Sequence, residues 1–516
     1  MSIKRATLLA TVIVAFAAGA PVAGTSAAEH PQAKDLLWLI GSPDAFAWEF
    51  GLAEEGYQQF KRQYGNPIVY TVGSSKSTDW PYIHPAHRDT WADGKAHPFT
   101  VRFQSPEDQP GPLFLLIGIV GAHPSERSKI TVTVGDTALP VQVAPGGDTA
   151  PCFNRRLKGQ PQTIVFPIPA GLVKKGDNSI SIRLDEQSWI LYDYVALSRK
   201  PKPLKIMPPP EVDLLAGFRK GPMAGIEEII FSARQPGKDG HWYANFDYYA
   251  EDENRITYGN GGGIYRLNLT TGKVTAILEE PEGTVRDPVL HYDGRKILFS
   301  YRKGGTTHCH LHEINIDGSG LRRLTDGPYD DIEPIYLPDG DIMFISSRCK
   351  RWVNCWLTKV AVLYRMDPDG QNIRLISSNN EHDNTPWVLP NGQVLYTRWE
   401  YVDRSQVLFH HLWISSPDGI RQTVFYGNMH PGIVMIDAKP IPDSRKVVVS
   451  FSPGHGRRDH DGVITVVDPR NGPDDRSFAR QISRSNTYRD PWAFSEEAFM
   501  AASGQRIVVM DDLGRT

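Results

Sequence analysis

A short pattern recurs down the second half of the chain, and it limits the fold more than any other feature. It first appears as "RDPVLHYDG" (286–294). It returns as "IEPIYLPDG" (332–340), "NTPWVLPNG" (384–392), "AKPIPDSR" (438–445) and "RDPWAFSEE" (489–497). The period is about 50 residues, in the range of propellers and solenoids. An apolar run follows each copy: "KILFSYR", "DIMFISSR", "QVLYTRW", "KVVVSFS" and "AFMAAS". A third run comes next, as in "LHEINIDG" and "LYRMDPDG", and then a shorter fourth, as in "LRRLTDG". Four strands per unit make a propeller blade. A single blade cannot bury both faces, so the units must stack around a ring.

The pattern predicts about six blades. The chain enters it at a second strand, "EIIFSAR" (228–234), and the last unit, from Pro491, reaches only a third strand, "RIVVMDDLGRT". The last blade is therefore expected to be incomplete. Three arrangements fit: the chain is a piece of a longer protein, "GFRKGPMAGIE" patches the gap, or a partner supplies strands. The first is the expectation, because the repeat stops mid-unit.

Residues 29–200 have a different texture. "FTVRF", "LFLLIGIV", "KITVTVG", "TIVFPIP", "NSISIRL" and "WILYDYVALS" read as strands, with clear alternation in "ITVTV" and "SISIRL". Glycine and proline turns between them predict a β-sandwich. The fold class is thus all-β, a jelly-roll sandwich followed by a propeller over 217–516. Between them "RKPKPLKIMPPPEVD" carries five prolines and four basic residues. Residues 201–216 are expected to be a stiff linker.

At the N-terminus, Lys4 and Arg5 precede "ATLLATVIVAFAAGA", and small residues follow, with Ser26 and Ala28 placed for cleavage. Residues 1–28 therefore read as a signal peptide. The apolar run is shorter than the roughly 20 residues of a membrane span. A periplasmic or secreted protein, without a span once the signal is cleaved, is expected. The formal net charge of −3 argues against a nucleic-acid partner.

The sandwich resembles the C-terminal jelly-roll module of rhamnogalacturonan lyases, on "LWLIGSPDAFAWEF", "KKGDNSISIRL" and "WILYDYVALS". That resemblance implies carbohydrate binding, and the lyase catalytic domain has no counterpart here. The repeats resemble Tol-type propellers and the middle domain of the hydrazine synthase α subunit, on "LYRMDPDGQNIRLIS" and "INIDGSGLRRLTDG". The synthase family attaches haem through C-x-x-C-H. That motif is absent, so no haem or other cofactor is expected.

Propeller geometry sorts the loops. First-to-second and third-to-fourth connections are short turns of Asp, Asn and Gly. The "DxDG" spacing lacks the further ligands of a calcium loop. Second-to-third and fourth-to-first loops share the other face and are rich in polar and aromatic residues. Candidate ligand-binding residues there are His308, His310, Arg351, Trp352, His382, Asp383, Trp399, His430, His455, His460, Arg489 and Asp490. Of four cysteines, Cys349 and Cys355 could close a disulfide. A metal site in which Cys309, His308 or His310 joins those two cysteines is the rival, but the spacing matches no standard zinc pattern, and no metal is expected. Unpaired thiols are the third possibility. In the sandwich, Trp80, Tyr82, Trp91, Trp189 and Tyr192 are candidates for stacking on sugar rings.

No nucleophile, zinc-protease or phosphate-loop motif is present, and no catalytic residue can be named. Carboxylates such as Asp330, Asp331 and Glu333 cluster in sequence, but whether two of them flank a sugar is open. The expected function is an exported carbohydrate-binding protein with a propeller face for a ligand or protein partner, not catalytic by itself. The alternatives are a polysaccharide lyase or glycoside hydrolase with its site at the propeller mouth, and a structural subunit of a periplasmic assembly.

Overall fold

The computed structural model describes residues 31–516, except 53–56, 58–59, 65–66, 148, 150–158, 208–212, 242, 244–247, 250–251, 258, 454–459 and 484. The expected signal peptide, Cys152 and His455 lie outside the described residues. Two compact units divide the chain between residues 210 and 211.

The first unit is a jelly roll of two sheets. One has the strand order Leu36–Gly41, Ile190–Ser198, Leu113–Ala122, Gln162–Ile168. The other runs Ile68–Thr71, Phe99–Ser105, Gly176–Leu184, Lys129–Val134, Thr137–Ala138. Alternation points one face of each strand inward. Phe99, Val101 and Phe103, with Ile180, Ile182 and Leu184, enter one shared core. Ile190–Ser198 is buried on both faces. Its outer face is covered by Leu204, which packs on Tyr194 and Ala196. The start of the expected linker therefore docks on the sandwich: the Lys205 N–H donates to Gln32 Oε1 and the Met207 N–H to the Pro43 carbonyl. Its other end, from Leu214, is helical.

The second unit is a six-bladed propeller. The first blade is the sheet Glu228–Arg234, Gly262–Asn268, Val274–Glu280. Four four-stranded blades follow, with first strands Thr284–Leu290, Asp331–Tyr336, Asp383–Val388 and Ile433–Pro440. The sixth is Tyr488–Ala493, Ala498–Ser503, Arg506–Asp511, without a fourth strand among the described residues. From the second blade to the sixth, first strands are neighbours in order around the central channel. Blades four and five are also stitched by parallel pairing of Phe409 with Ile433 and of His410 with Val434.

The segment "GFRKGPMAGIE" lies across the first and sixth blades. Asp213 caps the helix Leu214–Arg219 by accepting the Ala216 N–H at 2.9 Å. The chain then turns Met223, 0% exposed, into a cluster with Leu269 of the first blade and Met500 of the sixth. Leu215, Phe218 and Ile226 pack around it, beside Ile507 and Val509. This apolar cluster covers faces that each three-stranded blade would otherwise expose. Met223→Ala is expected to lower stability by about 2–4 kcal/mol, measured by urea unfolding of the full chain. A loss within about 0.5 kcal/mol would show that the cluster does not hold the two blades.

Candidate functional site

Five first strands share one distortion. Register breaks between Arg286 and Val289, Ile332 and Ile335, Asn384 and Trp387, Ile436 and Lys439, and Arg489 and Trp492. At each bulge one residue has a left-handed backbone: Asp287, Glu333, Thr385, Asp437 and Asp490, with φ from 47° to 58°. Four of these residues precede the proline of the repeat; in the fourth copy, where Ala438 follows, Asp437 takes the equivalent bulge.

The bulge frees the N–H from its own ladder and directs it to the preceding blade. Glu333 N–H donates to Asp287 Oδ2 at 3.1 Å, Thr385 N–H to Glu333 Oε2 at 2.5 Å, and Asp437 N–H to Thr385 Oγ1 at 3.2 Å. Arg286 bridges the same step, with Nε 2.7 Å from Asp287 Oδ2 and Nη2 3.0 Å from Glu333 Oε1. A belt of side-chain-to-backbone bonds thus runs from blade two to blade five. Glu333 and Asp437 are each 7% exposed. Burial raises the Glu333 pKa to about 8, with Asp287 and Asp437 adding to the rise and Arg286 opposing it. Burial and then Asp490 raise Asp437 to about 7. Asp437 Oδ2 has no hydrogen-bond partner and lies 3.9 Å from His460 Nδ1.

A second group forms on the face of the long loops. Glu381 is fully buried; its Oε1 accepts the Asn354 N–H at 3.1 Å and its Oε2 has no hydrogen-bond partner. Burial raises its pKa to about 7, against the Asn354 N–H and the Arg351 guanidinium. The connection between the strands Glu228–Arg234 and Gly262–Asn268 of blade one reaches this site with His241 and Tyr243. His241 lies 4.3 Å from the Trp356 ring; Tyr243 lies 5.0 Å from Trp399 and 6.0 Å from His382. The Ala361 N–H donates to His382 Nδ1 at 3.0 Å, so neutral His382 carries its proton on Nε2. A carboxyl that is part protonated near neutrality, beside a guanidinium and a phenol, can exchange a proton or bond hydroxyl groups.

The structure sorts the residues expected from the sequence. His382 and Trp399 join the Glu381 group, but both are buried and act as its frame. His460, Arg489 and Asp490 lie by the channel belt, and Arg489 Nη1 is 3.6 Å from Asp461. Asp383 is not a ligand group: it is buried in a two-pronged pair with Arg398, at 2.8 and 3.0 Å. His310 is buried with its Nδ1 3.7 Å from Asp331, which Arg348 also holds. His430 bonds the Asp474 carbonyl against the edge of Tyr426, away from both groups. His308 bonds its neighbour Thr307. Trp352, 40% exposed, is covered on one side by Lys359. Arg351 alone of the twelve stands beside Glu381 as a charged partner.

Two expectations are corrected. The described cysteines are unpaired: Cys309 is buried, Cys349 turns inward to donate to the Val360 carbonyl at 3.3 Å, and Cys355 faces solvent. No disulfide joins Cys349 and Cys355. In the jelly roll, Trp80, Tyr82, Trp189 and Tyr192 are core residues. Trp80 packs edge-on against Phe99 at 5.2 Å and Tyr192 at 5.4 Å. Trp91 is half-buried against Tyr57 and Phe60. None of the four core rings can offer its face to a sugar.

Glu381, Tyr243 and the bulge residues Asp287, Thr385 and Asp437 were missed, whereas Asp490 was a candidate and Glu333 was among the clustered carboxylates. Four of the five bulge residues were legible, as the residue before a repeat proline. Tyr243 sits in "DGHWYANFDYY", the longest second-to-third connection, whose aromatic content was the available signal. Nothing local marks Glu381.

Residues 36–197 match the family described as CBM-like, polysaccharide lyase family 4 domain III. Over 129 residues the chain is 32% identical to the hydrazine synthase subunit alpha of Kuenenia stuttgartiensis, covering 25% of this chain and 15% of that protein. Over 169 residues it is 28% identical to the Tol-Pal system protein TolB of Francisella tularensis, covering 28% of this chain and 38% of that protein. The chain therefore spans well under half the length of these relatives. Among solved structures, Kuenenia stuttgartiensis hydrazine synthase aligns with a TM-score of 0.47 at 19% identity, over 56% of this chain and 44% of that one.

The belt makes stability depend on pH. The folded state holds protons on Glu333 and Asp437 that the unfolded chain releases near pH 4.5 and 3.8. Stability from these groups is full below those values and is lost as pH rises through about 7 and 8. Glu333→Gln, which mimics the protonated form, should flatten that decline by about 1–3 kcal/mol between pH 5 and 8.5. Parallel urea titrations of both proteins at each pH measure it. Identical slopes would place the Glu333 pKa in its ordinary range.

Proposed function

We propose that the protein is an exported carbohydrate-binding protein. Its jelly roll attaches to a polysaccharide, and the loop face of its propeller receives a second ligand or a protein partner. The match of residues 36–197 to a CBM-like domain carries this reading. The match spans the sandwich from its first strand, Leu36–Gly41, to its last, Ile190–Ser198. The face around Glu381 supports the second half. It collects buried groups from blade one, through Tyr243, and from the loops around blades three and four, with Arg351 and Trp356 part exposed beside them. No described helix is long and apolar enough to cross a membrane.

One observation favours turnover as the second reading. Glu381 is buried beside Arg351 with a pKa near neutrality, as a proton-transferring carboxyl in a lyase or hydrolase site would be. A single experiment separates the two. The full chain should be retained by polysaccharides and should release neither reducing ends nor unsaturated sugars from them. If products do appear, the second reading holds. Their rate should then inflect near pH 7, and Glu381→Gln should cut it by about a hundredfold or more.

A further inference from the structure

The four buried aromatics leave open where the jelly roll would meet a sugar. The surface above them gives a place. Trp80 points inward, and the residues just before it point out. Ser77–Asp79 is a turn of 3-10 helix, closed by the Lys76 N–H donating to Asp79 at 2.8 Å. It forms one wall of a groove of about 550 Å³. The opposite wall is the short helix Phe60–Gln63 with Tyr64, and the floor is the strand Ile68–Thr71.

The groove has the chemistry of a sugar subsite. Tyr64 stacks one face on Phe60, with ring centres 5.9 Å apart, and its hydroxyl donates to the Thr78 carbonyl at 2.7 Å, so the ring is held in place. Gln63, Thr78 and Asp79 bring amide, hydroxyl and carboxylate groups to the same groove, and Pro67 and Val69 add apolar surface. An aromatic ring suits the C–H face of a pyranose, and the polar groups suit its hydroxyls. Ile68–Thr71 is the edge of its sheet, so its outer side carries no strand among the described residues. The charge of the lining narrows the ligand. Asp79 is its one charged side chain among the described residues. A carboxylate accepts hydroxyl hydrogen bonds but repels the carboxylate of a uronic acid.

We propose that this groove is the sugar subsite of the jelly roll and that it takes a neutral pyranose ring. The proposal rests on the carbohydrate reading above. It is tested by calorimetry of the full chain with cello-, manno- and galacto-oligosaccharides and with an oligogalacturonate. At least one neutral series should bind, and Tyr64→Ala and Asp79→Ala should each weaken it by about tenfold or more. Tyr64 also has a packing role, so Gln63→Ala, at an exposed helix position, is included. It should weaken binding by about threefold or more with an unchanged melting temperature. Neutral-sugar binding that survives all three substitutions overturns this site and leaves the carbohydrate reading standing. Binding to the oligogalacturonate alone overturns the neutral assignment. Binding to none of the four overturns the carbohydrate reading and this site together.

Discussion

The propeller depends on one repeated backbone event. The bulged first strands of blades three, four and five each use the freed N–H to reach the blade before. Positive φ at a non-glycine residue costs energy. Asp, Glu and Thr supply side chains that accept the next blade's N–H and so offset that cost. Blades in a ring share few backbone bonds, since each sheet is closed within itself. The belt therefore adds links between sheets that otherwise share few backbone bonds, such as the parallel pairing of blades four and five.

The same belt explains the unusual acidity of the channel. Carboxylates placed there to accept N–H bonds are forced near one another and away from water. Arg286 balances Asp287 and Glu333, while Asp437 faces Asp490 and Asp287 with Lys439 as its nearer cation. Glu333 and Asp437 respond by holding protons to higher pH. The loop face reaches a similar result by another route. There the long connection of blade one lays Tyr243 over blades three and four, and burial alone does most of the work on Glu381.

The two units use their aromatics differently. The jelly roll is small and has one core, so large rings are drawn inside it, and its surface groove relies on Tyr64. The propeller also buries strand rings such as Phe299, Phe344 and Tyr396 between its sheets, but it keeps Trp356 and Trp352 in the loops. The surfaces proposed for ligands therefore differ: a shallow groove beside an edge strand, and a loop-lined mouth.

Much of this was legible in the chain. The period of the repeat determined a propeller, because strands with that spacing can bury both faces only by stacking in a ring. The alternation in "ITVTV" and "SISIRL" determined a sandwich, because period-two burial allows little else. The proline of the repeat even marked the bulge. Only the tertiary structure decided which side chains face a site. "STDWPYIHP" has the composition of a sugar patch, but its rings turn inward and its small polar residues turn out. Exposure depends on the sheet packed beneath, which local sequence does not encode. Cys349 and Cys355 are close in the chain yet unpaired, with Cys349 bonded to the Val360 carbonyl just ahead of blade three's third strand. Glu381 gains its chemistry from groups brought by other blades and loops, and proximity of that kind exists only once the ring has formed.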